Sequence, residues 1–204
     1  AEAEVTDENF SECIAHLAAS RADWGLSDEE YVRDNVWATQ RVIEHGRRAQ
    51  IRRWLVYSSV GVLGSSQIAL DDSAPRNPHG AYATSKAKTE SLFEDLSASD
   101  PAAQVSVIRP SAVYGPGNPP NTNVYRLIDA IHRRKFVMIG DGQNVKTVAF
   151  LPTLIDATLF VMVIMSPGFR TFIYVDSPAE TTKDLVGFLA EALGTPIPRW
   201  HLPL

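Results

Sequence analysis

Tyr82 and Lys86 stand four residues apart in the stretch Gly80-Ala81-Tyr82-Ala83-Thr84-Ser85-Lys86-Ala87-Lys88-Thr89-Glu90. On a helix that spacing puts both side chains on one face, one turn apart. An ammonium beside a phenol stabilises the phenolate and lowers its pKa from about 10. A tyrosine so placed gives or takes a proton near neutral pH. The same spacing also arises as plain amphipathy of a surface helix, so the pair gains meaning only from its neighbours. Upstream, Arg53-Trp54-Leu55-Val56-Tyr57 reads as an apolar strand that runs into Ser58-Ser59-Val60-Gly61-Val62-Leu63-Gly64. Downstream, Val105-Ser106-Val107-Ile108-Arg109 reads as a second strand that ends in Pro110-Ser111-Ala112-Val113-Tyr114-Gly115-Pro116-Gly117. Parallel strands bring their carboxyl ends to one edge, where open α/β sheets bind ligands.

Read in order, strand-Ser-Ser-x-x-x-x-Gly, Tyr-x-x-x-Lys and Arg-Pro-x-x-Val-Tyr-Gly-Pro-Gly resemble the extended short-chain dehydrogenase/reductase family. Its best-known branch is the NAD-dependent sugar-nucleotide epimerases and dehydratases. The resemblance implies an α/β fold, a Rossmann-like doubly wound parallel sheet with a small C-terminal substrate lobe. It implies a partial dinucleotide-binding domain over 1–115. Residues 116–204 would supply the substrate lobe and returning elements of the core. The implied cofactor is NAD, with NADP possible, and the implied substrate is a nucleotide-sugar oxidised by transient hydride transfer. Tyr82 would be the base. Lys86 would lower its pKa and hold the nicotinamide ribose, and Ser59 would hydrogen-bond the reacting oxygen. Ser58 would support the turn. Leu17, Ala18, Ala19, Asn35, Ser58, Pro110, Ser111 and Val113 would complete the cofactor contacts, the two alanines by letting it approach the backbone. Ser59, Ala112 and Lys146 would face the substrate. No metal is implied.

Three positions depart from the sugar-nucleotide pattern. Ala112 stands where many members have Asn, Leu63 where many have Tyr, and Pro152-Thr153 where an acidic pair is common. These departures keep a related reductase or hydroxysteroid-type dehydrogenase open. A binding or scaffold protein that kept the fold is the alternative of another class. No G-x-G-x-x-G turn occurs anywhere in the sequence, although a Rossmann domain opens with one to hold the pyrophosphate. The expectation is therefore that the first βαβ portion is absent from this chain. A polypeptide of these residues alone would then hold a dinucleotide weakly.

The 204 residues are 45% hydrophobic and 21% charged, which fits a globular protein with one large domain or a domain plus a lobe. A formal charge of −5 gives no basic face for nucleic acid. The one cysteine, Cys13, excludes an internal disulfide, fits a reducing compartment and reads as a buried strand position. No signal-peptide pattern opens the chain. The longest apolar run, residues 157–165, is far short of the roughly 20 needed to span a bilayer. A cytoplasmic protein with no membrane partner is expected.

Glu4 stands where the family has Asp, which weakens an adenine contact there. A helix start falls at Thr6 or Asp7, a short segment follows over 9–12, and residues 14–19 read as a strand containing His16. His16 reads either as a packed core histidine or as a catalytic group, and the apolar strand favours the first. Residues 28–49 form a long helix capped by Ser27 or Asp28, with an apolar stripe carrying Asn35 and an end at Gly46 or the basic cluster. Asn35 reads either as a satisfied buried amide or, by resemblance, as a cofactor contact. Residues 65–79 are a long loop of the kind that walls a site, leading to a helix over 82–98. The resemblance pairs these two helices across a homodimer axis. Further helices are expected over 124–134, 154–165 and from Thr181 to about Leu193, with strands at 136–139 and 172–175 and a plain turn at Gly140-Asp141-Gly142.

Overall fold

The computed structural model describes residues 13–21, 25–198 and 201–202. Glu4, the helix start at Thr6 or Asp7 and the segment over 9–12 lie outside the described residues. The chain forms two compact units, one of residues 1–110 and 155–174, the other of 111–154 and 175–204.

The first unit is built on a parallel sheet. β1 (Cys13–His16), β2 (Arg53–Tyr57) and β3 (Gln104–Pro110) are laid side by side, and a later strand, Gly168–Tyr174, adds beside β3. β2 pairs β3 with Trp54 opposite Val105 and Val56 opposite Val107. Strand residues alternate between faces. Trp54, Val56, Val105 and Val107 therefore share one face, where Ile43, Phe93 and Leu96 from two helices cover them. On the other face, Arg53 donates to the carbonyl of Met162 and the hydroxyls of Tyr57 and Thr158 meet at 2.5 Å. Helices thus cover both faces, the doubly wound arrangement expected.

The first long helix is composite. α1 (Asp28–Tyr31) opens with a capping box: Ser27 Oγ accepts from Glu30 N at 3.3 Å, and the Glu30 carboxylate accepts from Ser27 N at 2.9 Å. A π-helical stretch, Val32–Trp37, leads into α2 (Ala38–Arg48). Tyr31, Asn35, Thr39 and Ile43 are all buried, at a strict spacing of four. In an α-helix each such step overshoots a full turn by about 40°, so three steps leave the stripe. The wider π turn absorbs part of that drift.

Gly46 does not end this helix. It lies inside α2, where a Cβ would stand 2.1 Å from Trp54 Cη2 and 2.9 Å from Ile14 Cδ1. The indole of Trp54 fills the space of a side chain, and the helix runs on to Arg48, at the basic cluster, before Gln50 turns the chain at φ +57°. β1 likewise ends at His16 instead of Ala19. Cys13 opens that strand only half-buried, and burial raises its thiol pKa.

A 3-10 turn (Val60–Leu63) follows β2, and α3 (Ala81–Ser99) carries Tyr82 and Lys86.

The second unit holds β4 (Ala112–Tyr114), α4 (Asn123–His132), β5 (Met138–Ile139), β6 (Val145–Lys146) and β7 (Val148–Phe150). α5 (Leu151–Val163) leads back to the first unit and its end strand β8 (Gly168–Tyr174). β9 (Glu180–Thr181), α6 (Thr182–Ala192) and β10 (His201–Leu202) complete the second unit. β4 pairs β7 in parallel, and Ile131, Met138, Val186 and Ala190 form the core between α4 and α6. The strand expected over 136–139 shrinks to two residues, because Arg134 turns the chain at φ +56° and Phe136 packs against that core. α5 starts three residues before Leu154, since Pro152 suits a first helical turn. β8 starts earlier than 172 and pairs β3 along its whole length. Among the described residues no helix is long and apolar enough to cross a membrane.

Candidate functional site

β1, β2 and β3 run parallel, so their carboxyl ends share one edge of the sheet. Leu17 and Ala18, both exposed, and half-buried Ala19 follow β1. Ser58 and Ser59 follow β2, and Pro110 closes β3, with Ser111 next in the chain. Ser59 Oγ accepts from Gly61 N at 3.1 Å and caps the 3-10 turn. The turn is therefore supported by Ser59, not by Ser58 as expected. Its hydroxyl proton stays available for donation. Ser58 Oγ and Ser111 Oγ are instead buried without a hydrogen-bond partner among the described residues. Buried hydroxyls normally find partners, and these two have none among those residues.

α3 carries the Tyr82–Lys86 pair at helical spacing. Tyr82 is half-buried, its ring 6.2 Å from that of Tyr31. With Tyr31, Leu26, Gly61, Gly64, Ser65, His79 and Gly80 it lines a cleft of about 510 Å³. Lys86 is only 4% exposed, and Nζ donates to the carbonyl of Tyr57 at 2.6 Å. Burial lowers its pKa to about 8 from 10.5, opposed by the charge of Glu90 one turn along the helix. A lysine poised so near neutrality marks a candidate working group.

A buried polar chain holds this helix in place. Asn35 Nδ2 donates to Ser85 Oγ at 2.8 Å and to the Ser20 carbonyl at 3.0 Å, while Asn35 Oδ1 accepts from Ser20 N at 2.7 Å. Ser85 Oγ donates to the Tyr82 carbonyl at 2.7 Å. Thr39 donates to the Asn35 carbonyl at 2.6 Å, and His16 Nε2 meets Thr39 Oγ1 at 2.9 Å. Asn35 thus ties the segment after β1 to α3 through both ends of its amide. His16 is a packed core histidine, its pKa lowered by burial and then by the Lys86 charge.

Glu90, fully buried, receives a bidentate grip from Arg109 at 2.8 and 3.0 Å. Arg76 approaches it at 3.7 Å and also pairs with Glu94. Sequence reasoning gave Glu90, Arg109 and Arg76 no part. A signal existed in Glu90, which falls one turn after Lys86 on the side that the sheet covers.

The second unit carries Ser111, exposed Ala112, half-buried Val113 and exposed Lys146. Lys146 sits on β6, which pairs antiparallel with β9. Asp176 stitches this unit, its carboxylate accepting from the Tyr114 hydroxyl at 3.0 Å and from Phe150 N at 3.1 Å. Among the described residues, no group of three or more His, Cys, Asp or Glu is placed to hold a metal.

The sequence model of the NAD dependent epimerase/dehydratase family matches residues 2–168. The chain belongs to this family. The resemblance read from its motifs is thereby borne out. Among its relatives, the N-acetyl-alpha-D-glucosaminyl-diphospho-ditrans,octacis-undecaprenol 4-epimerase of Escherichia coli O157:H7 is 28% identical over 191 residues, 93% of this chain and 57% of that protein. A 4-hydroxy-2-methyl-3-oxo-4-farnesyl-3,4-dihydroquinoline-1-oxide ketoreductase of Stigmatella aurantiaca is 26% identical over 196 residues, 94% of this chain and 57% of that protein. The solved structure of MoeE5 in complex with UDP-glucose and NAD matches with a TM-score of 0.81 at 27% identity, over 94% of this chain and 66% of that one. The chain spans less than two thirds of the length of each.

Proposed function

We propose that the whole protein is an NAD-dependent epimerase or dehydratase, NADP being the alternative cofactor, that acts on a nucleotide-sugar by transient hydride transfer. The observation that carries this reading is Lys86, buried and held against the Tyr57 carbonyl one helical turn from the cleft tyrosine, Tyr82. Residues 1–115 would contribute to the dinucleotide domain and 116–204 to the substrate lobe and the rest of the core.

Tyr82 takes the proton from the substrate hydroxyl. Lys86, with one N–H spent on Tyr57, has two others to steady the phenolate and to bind ribose hydroxyls. Ser59 donates its free proton to the reacting oxygen. NAD, held by Lys86 and the residues that follow β1 and β3, would supply the acceptor for a hydride from the carbinol carbon. Ser58 and Ser111, whose hydroxyls have no partner among the described residues, would each contribute a contact to the cofactor. Leu17, Ala18, Ala19, Pro110 and Val113 would complete the cofactor contacts; Asn35, its amide spent on Ser20 and Ser85, would serve the cofactor site by holding α3 in place; and Ala112 and Lys146 would face the substrate. The α1–α2 helix and α3 would pair across a two-fold axis as a cytoplasmic homodimer.

Ala112 and Pro152-Thr153, with the ketoreductase among the relatives, favour a second reading, an NAD(P)-dependent reductase. Mass spectrometry of the nucleotide retained on purification, followed by turnover of UDP-glucose, separates the two. Retained NAD with sugar turnover supports the epimerase or dehydratase. An empty site that needs added NADPH and reduces a ketone supports the reductase. Tyr82→Phe keeps the packing and removes the ionisable hydroxyl, so turnover should fall at least about a hundredfold. Normal turnover in Tyr82→Phe would sink both readings. Light scattering at micromolar concentration should return a dimer mass, and a monomer would remove the dimer proposal.

A further inference from the structure

Residues 64–80 join the 3-10 turn to α3 with no helix or strand of their own, yet they are fastened at three points. Asp72 serves β8, the last strand in the sheet order: its carboxylate accepts from Ile173 N, and its carbonyl accepts from the Thr171 hydroxyl at 3.0 Å. Arg76 reaches α3, donating to Ser91 Oγ at 3.3 Å and to Glu94, and standing 3.7 Å from buried Glu90. Asn77 N donates to the Val62 carbonyl at 2.9 Å.

The Asn77 carbonyl lies 2.4 Å from where a Cβ on Gly64 would be, and the His79 ring lies 3.1 Å from the same point. Gly64 also takes φ +72°. The far end of the segment therefore packs closely on the glycine that opens it, and both ends contribute to the wall of the cleft: Gly64 and Ser65 at one end, His79 and Gly80 at the other. Of the two side-chain fastenings, Arg76 lies nearer the wall along the chain. Its guanidinium is about a quarter exposed and bridges two carboxylates of the helix that carries Tyr82 and Lys86. Such a pair contributes little as an isolated surface salt bridge. Here Glu90 is fully buried and already fixed by Arg109, so the anchor for Arg76 does not move.

We infer that Arg76 is a positioning residue, which locks the 64–80 segment onto α3 and so sets the wall of the cleft relative to Tyr82. This rests on the reading that the Tyr82 cleft receives the sugar. Arg76 lies outside the cleft lining and acts through Asn77, His79 and Gly64. Released from Glu90 and Glu94, the wall samples open positions. Substrate capture then weakens, while the chemistry on bound substrate is unchanged.

The test compares the full chain with Arg76→Gln and Arg76→Lys, using UDP-glucose as substrate probe. In Arg76→Gln, hydrogen exchange of the amides over 61–65 and 77–82 should quicken at least tenfold. KM for UDP-glucose should rise fivefold or more, with kcat within twofold. Arg76→Lys, which keeps a cation for Glu94, should recover most of both effects. A residue that served stability alone would lower the melting temperature and leave KM and the cleft amides as they were, and that result overturns the inference. So does a fall in kcat at constant KM. If the unaltered protein turns over no nucleotide-sugar, the functional reading fails by itself. The exchange of the 77–82 amides then decides the inference, and unchanged exchange in Arg76→Gln overturns it.

Discussion

Replacing Lys86 by Met removes a buried ammonium and keeps most of the side-chain volume. Lys86 is 4% exposed, and its pKa stands at about 8 in the fold against 10.5. That gap corresponds to about 3 kcal/mol at roughly 1.4 kcal/mol per pH unit. The sign follows from proton counts. Between pH 8 and 10.5 the folded chain binds fewer protons than the unfolded one, so stability rises with pH. The penalty is fully present below pH 8 and fades as pH approaches 10.5. Met also forfeits the charge-assisted hydrogen bond to the Tyr57 carbonyl, a loss of about 1.5–3 kcal/mol. The two terms nearly cancel at pH 7, and Lys86→Met should unfold within about 2 kcal/mol of the parent there. The diagnostic quantity is the pH dependence. From pH 7 to pH 10 the parent should gain about 2–3 kcal/mol on the variant. Urea unfolding of both at pH 7, 8, 9 and 10 measures it, and other groups that titrate in the window are shared and cancel. A difference that stays flat, or moves the other way, would refute the reasoning that burial dominates the lysine.

Gly46→Ala should cost about 2–3 kcal/mol, since the overlap with Trp54 outweighs the roughly 1 kcal/mol by which alanine favours a helix; a variant as stable as the parent in urea unfolding would contradict the packing described. His16, whose pKa is lowered, should lose stability as pH falls from 6.5, because the unfolded chain then takes up the proton more readily. Titrating stability from pH 7 to pH 5 should give a shallower slope in His16→Asn than in the parent, and equal slopes would remove the burial argument.

Much of the fold was legible because its strands are short apolar runs that end in Ser, Gly or Pro. The pattern placed β2 and β3 nearly to the residue. The motif residues fell where the sequence placed them along the chain: Ser59 in the turn after β2, and Tyr82 and Lys86 on α3. What failed has a common cause, long-range packing. Gly46 reads as a stop signal until Trp54 is known to occupy its empty side. Phe136 reads as strand until the core under α4 claims it. Glu90 reads as one more charge on an amphipathic helix until Arg109, distant in sequence, folds back on it. Ser58 and Ser59 are alike in sequence and differ only in which hydroxyl meets the Gly61 amide.

The widened turn at Val32–Trp37 has an evolutionary consequence. Loss of one residue there would let the backbone return to regular α-helix at little local cost, so the segment looks permissive to a deletion. Phase supports this. Six residues of π-helix turn through about as much as five of α-helix. Thr39 would keep its direction toward His16 and Gly46 toward Trp54, while Asn35 stays on Ser20 and Ser85. The length of this helix can therefore drift by one residue at the widened turn without disturbing the contacts made at either end.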